Sequence, residues 1–166
     1  MRKLVVLFLL ACTVAISVSA QNYPKKKKFL ESLTLIYEDA ANQFSQVRGE
    51  IIDSTFYNEY AVEHVLPGSE MVSIYEFLIF NYEARMFHSS SKSEAKKVFD
   101  HYLGWLKKWN KKHDLPFSLS EEEDTDETGE MELIATWQGE LFETGSLELW
   151  LEYDDGTWNV FLTVYV

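Results

Sequence analysis

Cysteine is almost missing from this chain: its 166 residues include one, Cys12. No disulfide can form within a single chain that has one thiol, so the fold must be held by burial of its core. Thiolate metal centres and paired-cysteine redox chemistry are excluded with it. Glycine and proline are scarce as well, at 7 and 3 residues, and no glycine-rich phosphate-binding loop is present. Basic residues are outnumbered, 15 against 27 acidic ones. The resulting negative field repels nucleic acid and anionic lipid, and a nucleic-acid function is not expected.

Long apolar runs are missing everywhere except at the N-terminus. Arg2 and Lys3 precede the run Leu4 to Ala11, and Val18-Ser19-Ala20 precede Gln21. A positive start, an apolar middle and a small residue at the cut predict a signal peptide over residues 1–20. The run is barely long enough to span a bilayer, and Thr13, Ser17 and Ser19 weaken its second half, so no transmembrane anchor is expected. A rival reading takes Leu9-Leu10-Ala11-Cys12 as a lipoprotein signal with Cys12 lipidated. Thr13 to Ile16 is then apolar where a polar tether belongs, and simple cleavage is the preferred expectation. Removal of residues 1–20 leaves thirteen basic residues against 27 acidic, a formal charge of −14. An acidic, disulfide-free exported chain fits the periplasm or medium of a bacterium.

Aromatic residues are abundant: 5 Trp, 9 Tyr and 11 Phe. Most belong in a core or against a sheet, where large rings bury much area for each residue fixed. After a polar, lysine-rich leader over residues 21–28, a single domain is expected over 29–166. Phe29, Leu33, Ile36, Tyr37, Ala40, Ala41, Phe44 and Val47 recur at three- and four-residue spacings and predict an amphipathic helix, with Gly49 placed to end it. Residues 50–87 read as a pair of strands, Phe56 to Leu66 and Met71 to Phe80, joined by a turn at Pro67-Gly68-Ser69. Leu78-Ile79-Phe80 breaks the alternation, as in a strand covered on both sides or bulged.

Ser91 and Glu94 have capping-box spacing. They open a second helix whose apolar stripe is Ala95, Val98, Phe99, Tyr102, Leu103, Leu106 and Trp109. Residues 118–130 are dominated by carboxylates and predict an acidic loop. Three strand patterns follow: Met131 to Trp137, Leu147 to Tyr153, and Trp158 to Val166. Asp154-Asp155-Gly156 supplies a tight turn between the last two. The expected fold is a two-layer α+β domain, with two amphipathic helices on a mostly antiparallel sheet in the order α-β-β-α-β-β-β. The repeated order is compatible with a diverged internal duplication. In outline it resembles the shapes of beta-lactamase-inhibitor proteins and cystatin-like folds, a likeness of architecture that gives no residue a role.

Chemistry-bearing motifs are missing too. His64, His88, His101 and His113 share no metal-ligand spacing, and no nucleophile elbow is present. Asp124, Asp126 and Gly129 imitate the start of a calcium loop, but Ala135 stands where the bidentate Glu is required. No catalytic, cofactor or metal residue is therefore assigned. The expectation is a non-enzymatic binding or interaction protein of the bacterial envelope or medium, with a protein or glycan partner. The alternatives are a small hydrolase using a carboxylate pair and a purely structural secreted protein. Trp150 faces away from the leucines of its strand, and Trp137, Trp150 and Trp158 are the candidate partner-binding residues.

Overall fold

The computed structural model describes residues 23–123, 131–139 and 145–166; the predicted signal peptide lies outside them. Helix α1 spans Lys26–Ala40. Its start lies inside the segment expected to be a polar leader, because lysine is a good helix former and Tyr23 anchors the lead-in. The Tyr23 ring stacks on His101 with centroids 3.7 Å apart. The helix has no side-chain cap at Lys25 and no acidic residue in its first turn, so burial of Phe29, Leu33, Ile36 and Tyr37 must hold it.

The helix ends at Ala40 rather than at Gly49. Buried Asp39 accepts the backbone N–H of Gln46 at 2.7 Å and its side-chain amide at 3.2 Å, a local alternative to further helix. Gln43 and Phe44 both take φ of 58°, which turns the chain so that Phe44 and Val47 still reach the core. Gly49 lies in the first strand.

Four strands follow instead of two: β1 (Arg48–Asp53), β2 (Asn58–Val62), β3 (Met71–Glu76) and β4 (Phe80–Ser89). The strand pattern in the sequence concealed two turns, at 54–57, which includes Phe56 and Tyr57, and at 77–79, which is apolar throughout. The link between β2 and β3 does turn at Pro67-Gly68, with Gly68 at φ 90°. It is fastened by the buried hydroxyl of Tyr82, which accepts the Leu66 N–H at 2.9 Å and donates to the His64 carbonyl at 3.0 Å.

Helix α2 spans Lys92–Asn110, and all seven residues of its expected stripe are buried. Half of the capping box forms: the Ser91 hydroxyl accepts the Glu94 N–H at 3.4 Å, whereas the Glu94 carboxylate accepts the Ser89 hydroxyl at 2.8 Å. Strands β5 (Phe117–Glu123), β6 (Met131–Trp137), β7 (Ser146–Asp154) and β8 (Thr157–Tyr165) complete the chain. The expected acidic loop is thus a strand through residue 123. Pairing with β6 satisfies its backbone, and an edge strand tolerates charge. Residues 124–130 lie outside the described residues. Asp155 and Gly156, at φ 45° and 80°, form the expected two-residue turn between β7 and β8.

The sheet is eight-stranded and antiparallel throughout, in the order β1-β2-β3-β4-β8-β7-β6-β5. Each half is a helix followed by a four-stranded meander, and the halves meet where β4 pairs β8. The element order is therefore α-β-β-β-β-α-β-β-β-β, a topological repeat. Helix α2 lies on β4, β7 and β8, and α1 on β8 and α2. Tyr82, Ala84, Leu147, Leu149, Val160, Leu162 and Val164 fill the layer between helices and sheet. Residues alternating with these point to the opposite face, which no described helix covers.

Candidate functional site

The three candidate tryptophans do not form a shared exposed patch. Trp137 is 0% and Trp158 5% exposed, because both fall in register with the helix-facing residues of neighbouring strands. Trp150 occupies the opposite face, half-buried, in the cross-strand row Arg85, Phe161, Trp150, Ile134.

The largest exposed apolar groups are elsewhere. The turn after β1 and the turn after β3 lie at the same end of the sheet, since Asn58 opens β2 directly opposite Glu76 at the close of β3. Phe56 in the first and Leu78 in the second are each 89% exposed, and Phe77 is 64% exposed. Ser54, Phe56, Tyr57, Asn58, Glu76, Phe77 and Leu78 border one cavity of about 350 Å³, so the two turns present a continuous surface. Ile51 and Ile52, exposed on edge strand β1, adjoin it in sequence.

The base of this tip is ordered. The Arg48 guanidinium sits over the rings of Tyr60 and Phe80, 4.3 and 4.5 Å from their centroids. Glu76 accepts from the Asn58 amide at 3.1 Å and the Tyr60 hydroxyl at 2.9 Å. These two bonds hold the Glu76 carboxyl below its usual range, with a smaller contribution from Arg48. The network joins all four strands of the first half beneath the turns. In the first turn, Asp53 accepts the N–H and hydroxyl of Thr55 at 2.9 and 2.7 Å, an arrangement that holds the bend before Phe56.

A second cavity, of about 510 Å³, continues from the tip onto the uncovered face, where it is lined by Tyr57, Glu59, Ser73, Tyr75, Phe77 and Glu83. Tyr57 and Phe77 border both spaces. A third, of about 610 Å³, lies between the helices and includes Leu30, Thr34, Trp109 and His113 in its lining. Its floor is internally satisfied: the Trp109 indole donates to the Thr34 hydroxyl at 3.0 Å and stacks on His113 at 4.0 Å. Charges of both signs rim it: Lys27, Glu31, Glu38, Lys108 and Lys112.

The histidines are dispersed. His64 Nε2 lies 2.5 Å from the Ser32 hydroxyl, a pairing that superficially suggests an activated serine. Nucleophilic attack also needs a third group orienting the base and room for a carbonyl; neither His64 nor Ser32 lines any of the three cavities. The pair joins α1 to the chain after β2. His88 Nδ1 lies 2.6 Å from Glu70 in an exposed pair. His101 and His113 stack against Tyr23 and Trp109, and burial lowers the pKa of each imidazole. Among the described residues, no group of three or more His, Cys, Asp or Glu could hold a metal ion, and no helix is long and apolar enough to cross a membrane.

Sequence reasoning missed Phe56, Phe77 and Leu78. The available signal is the break in alternation at Leu78-Ile79-Phe80, which reads from the sequence as a strand covered on both sides or bulged because apolar residues usually mark strands rather than turns. Compared with protein-family models, curated proteins and solved structures, the chain matches none of them.

Proposed function

We propose that this is an exported binding protein that docks a protein partner on the tip formed by the turns after β1 and β3. The observation that carries the reading is the exposure of Phe56 and Leu78, 89% each, on adjacent turns that border one cavity. Burying such a side chain is worth about 1.5–3 kcal/mol, a gain this fold forgoes twice at one place. Apolar side chains gathered on an ordered support, with polar groups around them, have the anatomy of an interface core and rim. The positive start, apolar run and small residues at 18–20 support export, to the periplasm or the medium of a bacterium.

The test is quantitative affinity capture from the envelope and culture medium of the source organism. Residues 21–166, tagged, are compared with the double variant Phe56→Ser, Leu78→Ser. A stoichiometric partner retained by the parent and lost by the variant, with both equally folded, supports the reading. Equal recovery by both, or nothing above background with either, rejects it.

A further inference from the structure

The cavity behind Tyr57 and Phe77 differs chemically from the apolar tip. Three rings wall it, with Tyr57 and Tyr75 centroids 5.6 Å apart. Its remaining lining is Glu59, Ser73 and Glu83. Glu83 projects from the middle of β4 between Ser73 on β3 and Thr163 on β8, both uncharged. Among the described residues, its one side-chain hydrogen bond comes from the Tyr75 hydroxyl at 3.3 Å. Arg85, two residues along β4, is instead paired with Glu70 through Nε at 3.6 Å. Among the described residues, no ion pair reaches Glu83.

The other ionisable groups near Glu83 are the Arg85 guanidinium, already held by Glu70, the Tyr57 and Tyr75 phenols and the Glu59 carboxylate. Beyond Thr163 on β7 lies Glu148, which accepts from Tyr165 at 3.0 Å. All but Arg85 are acidic. Burial raises the Glu83 carboxyl above its usual range, against a smaller lowering by the Tyr75 bond. In the free protein the cost of this half-buried carboxylate is only partly offset by the Tyr75 bond. Ring faces carry negative charge density and attract cations, so the rings and the carboxylate favour the same sign of ligand.

We propose that this cavity receives an ammonium or guanidinium group, carried on a lysine or arginine side chain of the partner that covers the tip. The assignment rests on the docking reading above. The aliphatic stem of such a side chain passes between Tyr57 and Phe77, while its charged head meets Glu83 and Glu59.

The probes are N-acetyl-lysine methylamide and its neutral analogue N-acetyl-norleucine methylamide, titrated into residues 21–166 and followed by NMR at Tyr57, Tyr75 and Glu83. The lysine probe should saturate in the millimolar range. Norleucine should bind at least about tenfold more weakly, and Glu83→Gln should remove the difference. A second readout separates this from a structural role. Because the folded-state pKa of Glu83 is raised above 4.5, its contribution to stability is fully present below that value and is lost as pH rises through the folded pKa. Glutamine is neutral throughout. Glu83→Gln should therefore raise the melting temperature at neutral pH and leave it unchanged in acid, while losing the lysine probe. Equal binding of the two probes, no saturation by lysine, or a variant less stable than the parent at neutral pH each overturns the assignment. Capture by the Phe56 and Leu78 variant reads the docking surface separately: a partner lost there with a silent lysine probe leaves the docking reading standing and removes the cation.

Discussion

The two halves of the molecule share a topology and differ in what they expose. The connection from β3 to β4 is Phe77-Leu78-Ile79, with two exposed apolar side chains; its counterpart from β7 to β8 is Asp155-Gly156. The first turn of the first meander contains Phe56 and Tyr57, whereas the corresponding stretch of the second, 124–130, is rich in carboxylates in the sequence. Because β4 and β8 run antiparallel, the β3–β4 and β7–β8 turns lie at opposite ends of the sheet. The second half acts as an internal control: its β7–β8 hairpin closes with the polar turn residues Asp155-Gly156. An apolar turn is therefore not a requirement of such a hairpin, and this difference adds to the exposure of Phe56 and Leu78 in support of the docking proposal.

The contrast can be broken most forcefully in the second half. Trp137→Ala should cost about 3–5 kcal/mol, because it empties a fully buried site that also touches Phe117; chemical denaturation measures it. A loss below about 1 kcal/mol would mean that large aromatics do not hold this half together. In the first half, Tyr82→Phe removes the hydroxyl that fastens the link between β2 and β3. It should lower stability by about 1–3 kcal/mol, the cost of orphaning a buried N–H, and should increase hydrogen exchange at Leu66.

The helices provide a smaller pair of effects. Ser91→Ala removes the cap of α2 and should cost about 1 kcal/mol, whereas Lys25→Ser offers uncapped α1 a partner for its free N–H groups and should gain up to about 1 kcal/mol. Thermal melts of the two variants should therefore move in opposite directions. The smallest expected effect is the most informative about function. Phe56→Ala and Leu78→Ala should each change stability by no more than about 0.5 kcal/mol. A larger loss would show the tip to be a packing element of the free protein.

Much of the architecture was legible because periodicity is a local property. The stripe from Ala95 to Trp109 and the leucines of β7 announce their buried faces without reference to any other residue. Asp155-Gly156 likewise declares its turn through the backbone conformations these residues tolerate. Legibility failed where local chemistry and tertiary role disagreed. Phe77 and Leu78 read as strand because β-formers usually lie in strands, and the acidic residues of β5 read as loop although pairing with β6 makes them a strand edge.

The sequence alone determined the class of the fold, the buried faces of both helices, the second hairpin turn and the excess negative charge, because each depends on residue type and spacing along the chain. Only the tertiary structure decided that Trp137 and Trp158 are core while Phe56 and Leu78 are surface. It also decided that Glu83 stands among rings with no ion pair among the described residues. Such facts depend on which strands become neighbours and on which side of the sheet the helices lie, and those are set by long-range packing that no local pattern encodes.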